Sequence, residues 1–399
     1  MLLLRNPVQR YSWGAVDGLA AIVGSVPSGG PEAELWVGTH PSAPSLVADD
    51  PAGRTLAQVI AADPARWLGP ELAEQGHTAL PFLLKVLAIG APLSLQAHPS
   101  ADQAAAGFDR EEAEGIPLDA PGRLYKDRSP KPESLVALSD TWALCGFRTP
   151  GEAAELLADL HVGELEPVVA MLRGGGLSAH RNALSWLLHL PGTVAGPLGR
   201  AVALAVAHVD PHDRQDPRSW VRELVASYPD DPTCLAPLLL QVVRLRPGDA
   251  VHLPAGNLHA YLTGSGVELM AASDNVLRCG LTAKHVDVDA LLGVLQFGPG
   301  VPPAPIYTDL GGGLATYNSG EDAYGLVVVD AGLEPALIEP TGPSLLLATG
   351  GEVDVAGEDL GVSIDHGDAV FVPPGAGSLS ITGSGRLWWA TVGDSLPTR

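Results

Sequence analysis

The run Pro247-Gly248-Asp249-Ala250-Val251-His252-Leu253-Pro254-Ala255-Gly256 is echoed later in the chain by His366-Gly367-Asp368-Ala369-Val370-Phe371-Val372-Pro373-Pro374-Gly375. Each copy reads as a Gly-Asp turn, an apolar strand and a Pro-x-Gly turn. Self-similarity with the turn residues in register marks two related β-modules.

Outward from this repeat the texture changes twice. Residues from about 31 to 148 read mainly as strands and turns, with LWVGT, PFLLKVLAI and PLSLQAH bounded by Gly and Pro. From Pro150 to about 235 the segments GEAAELLADL, PVVAMLRG, ALSWLLHL, GRAVALAVAHV and SWVRELVASY are rich in Ala and Leu at helical spacing. After Cys234 the strand texture returns.

The first copy of the repeat extends to Gly248-x5-Pro254-x-Gly256-x2-His259, and Gly90-x5-Gln96-x-His98 stands upstream. Together these resemble the two sequence motifs of cupins, small jelly-roll barrels whose mouth holds a metal. The second copy carries Ser378 where the first carries His259, so the second module is expected to be a structural partner without metal. The predicted fold is mainly β with a helical insertion: two cupin jelly-roll modules plus an α-helical domain. Residues 1–149 and 236–300 form the two parts of the catalytic cupin, 150–235 the helical insertion, and 301–399 a second, degenerate cupin.

Alternation in Ser94-Leu95-Gln96-Ala97-His98 sends Ser94, Gln96 and His98 to one face and Leu95 and Ala97 to the other. A polar triplet facing a barrel interior is costly unless something satisfies it. Imidazole, amide and carboxylate ligands suit zinc or another borderline divalent ion. His252 lies outside the motif and is read as structural.

Composition narrows the function. With 46% hydrophobic and 17% charged residues the chain is a folded globular protein. Its 23 basic and 46 acidic residues give a net charge of −23, which argues against a nucleic-acid partner. A phosphorylated substrate must then enter a locally positive pocket. Cys145, Cys234 and Cys279 are scattered, without CxxC pairing, which fits a reducing compartment and excludes a thiolate zinc ribbon. The opening Leu run is cut by Arg5, and no apolar stretch reaches the roughly 18 residues a membrane helix needs. A soluble, cytoplasmic monomer is expected.

Further segments carry a family resemblance over nearly the whole length. They are Tyr11-Ser12-Trp13-Gly14, Glu34-Leu35-Trp36-Val37-Gly38, Pro92 to Pro99, Gly115-Ile116-Pro117-Leu118 and Lys131-Pro132-Glu133. The most specific is His259-Ala260-Tyr261 to Glu268 with Ala271-Ala272-Ser273-Asp274-Asn275-Val276-x-Arg278-x-Gly280-Leu281-Thr282-x-Lys284. These resemble the type I phosphomannose isomerases. The resemblance implies zinc held by Gln96, His98, Glu133 and His259, and interconversion of mannose 6-phosphate and fructose 6-phosphate through an enediol. It places Lys131 and Glu268 near the reacting carbons, with the choice between them open, and Arg278 as the charge that stabilises an enediolate. Ser94, Lys85, Asp274 and Lys284 are the expected sugar or phosphate contacts.

One departure is chemical. Ser129-Pro130 stand before Lys131-Pro132-Glu133, where the family usually has Asn-His, so ring opening falls to Asp274, to water, or to the uncatalysed reaction. A second is Ala101, where a basic residue often follows the QAHP run. Two other functions fit a cupin: an iron oxygenase using His98, Glu133 and His259, and a sugar-binding or regulatory module. Gln96 as an extra ligand argues against the first, because oxygen chemistry needs open positions. Acid–base residues beside the ligands argue against the second.

Overall fold

The Ala/Leu-rich block becomes helical at Thr149, whose hydroxyl accepts from the Glu152 N–H while the Glu152 carboxylate accepts from the Thr149 N–H. This reciprocal cap, followed by Pro150 in the first turn, starts the helix Pro150–Ala158. The computed structural model describes residues 1–176, 178–358 and 361–397. Helices Glu166–Arg173, Ala179–Leu188, Gly192–Val206, Pro217–Ser227 and Ala236–Leu239 follow. They bury Leu157, Val168, Leu184, Val202 and Trp220 in one core, which also takes in Leu95, Ala97, Leu258 and Leu277 from neighbouring strands.

Strands from both sides of this helical block share a ten-stranded sheet. Its spine is the strand His259–Ala271. Toward its C-terminal end the spine pairs with Phe82–Ile89 and Glu133–Ala137. At its start it pairs with Leu95–Ala97 and Thr141–Phe147, His259 lying opposite both Gln96 and Cys145. An eight-stranded sheet holds most of the C-terminal strands, and a four-stranded sheet shares with it an apolar core that includes Val329, Leu346, Ile381 and Trp389. The chain's opening strand Leu2–Arg5 pairs with Ala369–Val372, so both ends of the sequence enter the eight-stranded sheet. Leu35, Leu84 and Val86 of the larger sheet share a core with Leu345, Phe371 and Trp388 of the smaller. No helix among the described residues is long and apolar enough to cross a membrane.

The sequence repeat is also a backbone repeat. Gly248 and Gly256 have φ of 91° and 77°, and their counterparts Gly367 and Gly375 have 82° and 77°. These left-handed turns favour glycine, and they bracket the strands Ala250–Leu253 and Ala369–Val372.

The stretch read as strands and turns also contains helices Leu56–Ala62, Pro64–Leu68, Pro70–Glu74 and Ala101–Ala113. Two of them announce themselves by capping boxes, Thr55 with Gln58 and Ser100 with Gln103. Later, Asp287 caps the helix Val288–Val294 within a region read as strand. Local capping chemistry outweighed the surrounding strand texture.

Candidate metal centre and substrate pocket

Leu95 and Ala97 are buried against the helical core, which turns the opposite face of their strand toward a cavity of about 640 Å³ lined by Ser94 and Gln96. That volume suits a small-molecule ligand. Two motif segments meet here: the Gly256 N–H donates to the His98 carbonyl at 2.8 Å. A Cβ on Gly256 would lie 2.9 Å from the Val294 carbonyl, a second reason for glycine at this turn.

His98, Glu133 and His259 are all buried, and each offers a ligand atom within 4.8 Å of the other two. The His98 Nδ1–H donates to the Asn275 carbonyl at 2.8 Å, and the His259 Nδ1–H donates to the Asn257 carbonyl at 3.0 Å. These bonds set both tautomers and leave both Nε2 lone pairs free. The two Nε2 atoms lie 3.4 and 3.6 Å from the Glu133 carboxylate, and both are buried without a hydrogen-bond partner. Lone pairs converging on a carboxylate make no ion pair, and a divalent cation is what satisfies such a donor set. Gln96 lies opposite His259 in register and on its face, so its amide can complete the set. Burial pushes the His98 imidazole down to about 4 against the pull of Glu133, keeping it neutral and able to ligate. Burial, the largest single influence, would raise the Glu133 carboxyl, yet Lys131, with Nζ 2.8 Å from Oε1, together with His98 and His259 outweighs it and holds the group well below the usual carboxylate range.

Other charged groups line the same cavity. Glu268 Oε2 lies 3.3 Å from Lys85 Nζ, with Glu34 Oε1 at 3.8 Å on the same ammonium. Burial raises the Glu268 carboxyl to about 6, although Lys85 opposes the shift. For Lys85 burial works downward, and Glu34 and Glu268 more than reverse it. Arg278 faces Gln96 in register. Burial lowers the Arg278 guanidinium; Lys284 is lowered by partial burial and then by Arg278 beside it. Among the described residues neither cation has a carboxylate partner within salt-bridge distance. Asp274 lies at the rim, its Oδ1 3.0 Å from His40 Nε2. All the candidate catalytic, substrate and ligand residues named from the sequence therefore fall on this cavity or on the His98–Glu133–His259 cluster beside it.

The sequence reading missed several wall residues. Tyr11, Trp13, Glu34, Trp36 and Tyr261 sat inside quoted segments without a role, and all line the cavity. His40, three residues beyond Val37, pairs with Asp274 across a long sequence separation that no local pattern reveals. Tyr228 reaches the cavity from the end of the helix Pro217–Ser227, in a block that reads only as scaffold. His252 stays outside the centre, its Nδ1 3.1 Å from both Ser134 Oγ and the Glu133 carbonyl, and its Nε2 3.2 Å from Glu321.

Known proteins share this arrangement of sequence and fold. Residues 1–150 match the family described as phosphomannose isomerase type I, catalytic domain. Mannose-6-phosphate isomerase of Escherichia coli (strain K12) is 33% identical over 393 residues, covering 97% of this chain and 98% of that protein. A crystal structure of mannose 6-phosphate isomerase bound with zinc and yttrium superposes with a TM-score of 0.90 at 30% identity, covering 98% of this chain and 99% of the other. A variant of phosphomannose isomerase from Salmonella typhimurium gives 0.91 at 30% identity, with the same coverage.

Proposed function

Because the chain belongs to the type I phosphomannose isomerases, we propose that it interconverts D-mannose 6-phosphate and D-fructose 6-phosphate, with zinc held by Gln96, His98, Glu133 and His259. The observation that carries this reading is the pair of buried, unpartnered Nε2 atoms aimed at Glu133 beside a cavity of sugar-phosphate size. Bound zinc would orient the sugar oxygens and polarise a carbonyl.

The chain's own residues supply the rest. Ring opening breaks the C1–O5 bond, moves the O1 proton to a base and delivers a proton to O5. Asp274, ionised and oriented by His40, stands at the rim for this step. Glu268 then takes the proton from C2 while the carbonyl oxygen at C1 gains one, giving the enediol. The C2 hydroxyl next gives up its proton as C1 receives one, and the ketose results. Glu268 is favoured over Lys131 as the base because its carboxyl is raised to about 6, near the working pH where a base transfers protons best. Lys131, tied to Glu133, acts as a cation that donates to the developing oxyanion. Arg278 adds fixed positive charge there, and with Lys284 it gives an acidic chain a local site for the phosphate. Ser94 and Lys85 complete the sugar contacts.

The ten-stranded sheet is read as one cupin module, 1–149 with 236–300, and the eight- and four-stranded sheets as a second, 301–399, to which the first lends the strands Leu2–Arg5 and Leu46–Val47; the helical block 150–235 closes one side of the first. All residues in this scheme come from one chain, so a monomer suffices, and cytoplasmic sugar phosphates are the natural supply.

The test combines metal analysis with an assay of mannose 6-phosphate conversion before and after chelation. Zinc-dependent activity that chelation removes and zinc restores, with Arg278→Ala folded and nearly inactive, supports the reading. A zinc-loaded, folded chain that never isomerises the sugar sinks the enzyme and leaves a metal-binding module.

A further inference from the structure

Asn275 is fully buried, and its side chain uses both ends of its amide. The side-chain carbonyl accepts from the Lys126 N–H at 2.7 Å and the Asp127 N–H at 3.3 Å. Its NH2 donates to the carbonyls of Asp127 and Ser129, both at 2.9 Å. Asp127 returns the grip: its carboxylate accepts from the Asp274 N–H at 3.0 Å, the Ser273 hydroxyl at 2.9 Å and the Ser129 N–H at 2.8 Å. Two segments far apart in sequence, 126–129 and 273–275, are thereby locked to each other.

Each segment leads straight to a metal-centre residue. Segment 126–129 runs directly into Lys131-Pro132-Glu133, the extended stretch whose alternate side chains Lys131 and Glu133 share a face and an ion pair. In segment 273–275, the main-chain carbonyl of Asn275 accepts the Nδ1–H of His98 and so fixes which nitrogen faces Glu133. One residue therefore holds the His98 ring by its backbone and the Glu133-bearing strand's approach by its side chain. We propose that Asn275 and Asp127 are positioning residues for the metal centre, a clasp that sets the separation of His98 from Glu133 before the ion arrives. The proposal rests on the zinc reading above and gives its ligand spacing a cause.

A clasp built this way acts through direction as well as proximity. Every polar atom of the Asn275 amide is satisfied, so sliding one segment against the other breaks several buried hydrogen bonds at once. Outer partners of this kind commonly govern metal affinity by 10- to 100-fold.

The experiment uses the full chain, stripped of metal and reloaded, as wild type, Asn275→Ala and Asp127→Asn. Zinc affinity is read by competition with a chromophoric chelator. The absorption spectrum of the cobalt(II)-substituted protein reports ligand geometry, and melting of the metal-free protein reports folding. The expected result is zinc binding weakened about 10- to 100-fold in Asn275→Ala, a smaller loss in Asp127→Asn, and altered cobalt bands in both. Unchanged affinity and spectrum in folded variants overturns the clasp, even where the metal-free melting temperature drops. Should Asn275→Ala fail to fold, the milder Asp127→Asn decides alone. A wild-type chain that takes up no zinc overturns the metal reading and the clasp with it, whereas equal uptake by all three chains overturns the clasp only.

Discussion

Lys85 and Glu268 face each other in direct register across neighbouring antiparallel strands, Nζ lying 3.3 Å from Oε2, both side chains almost wholly buried. The pair is unequal: Lys85 has a second carboxylate, Glu34, within 3.8 Å, so its charge is shared and Glu268 is left only partly compensated. Burial, only partly opposed by Lys85, leaves the Glu268 carboxyl raised, as the proposed base requires. Glu268→Gln, which keeps shape and removes basicity, is expected to lower kcat about 10²- to 10⁴-fold. Bound zinc, measured by elemental analysis, should be unchanged, because Glu268 is outside the proposed ligand set. Loss of zinc together with activity would move Glu268 into the metal centre.

The same residue gives a pH prediction. A carboxyl raised to about 6 in the folded chain binds a proton there that the unfolded chain, near 4.5, has already released. Its contribution to stability is therefore greatest below about 4.5 and is lost as pH rises toward about 6. In metal-free protein, one glutamate carboxyl followed by carbon-13 NMR should titrate near pH 6 and be missing from Glu268→Gln. If every glutamate titrates below 5, the proposed assignment of the base is wrong.

Metal removal should show in stability as well as rate. Zinc that binds only the folded chain adds about 2.7 kcal/mol when present at 100 times its dissociation constant. Differential scanning calorimetry should then show a zinc-dependent rise in Tm for wild type. His259→Ala, which removes one of two converging Nε2 atoms, should lose most of that rise. An equal rise in both proteins would place the ion elsewhere.

Sequence legibility followed the range of the interactions involved. The Gly248 and Gly367 turns were readable because a left-handed turn at a fixed spacing from a strand leaves a local signature. Gln96 and His98 were readable because strand alternation separates them from Leu95 and Ala97, which the helical core does bury. Glu133 is reached only by resemblance: nothing local marks it among so many acids, and its character comes from Lys131 beside it and two histidines from other segments. The pairing of His40 with Asp274 and the arrival of Tyr228 from the helical block are products of tertiary packing. The missed helix Ala101–Ala113 is different in kind. Its Ser100–Gln103 capping box is a local signal already legible in the sequence, set within a stretch of strand texture.

The most discriminating substitution concerns Arg278 and Lys284. Arg278 stands close enough to Lys284 to add to burial in lowering its ammonium, and neither has a carboxylate partner within salt-bridge distance among the described residues. In a chain of net charge −23 such a pair of cations suits the phosphate of the proposed substrate. Lys284 is the more exposed of the two and takes no part in the proposed proton transfers, so it reports on phosphate binding with the least disturbance of the chemistry. Lys284→Ala is expected to raise KM for mannose 6-phosphate about tenfold, near 1.4 kcal/mol of binding, while kcat changes much less. Raising ionic strength should narrow the gap between wild type and variant, because screening weakens the attraction that only wild type retains. A variant with normal KM and a lowered kcat would instead assign Lys284 to the proton-transfer step.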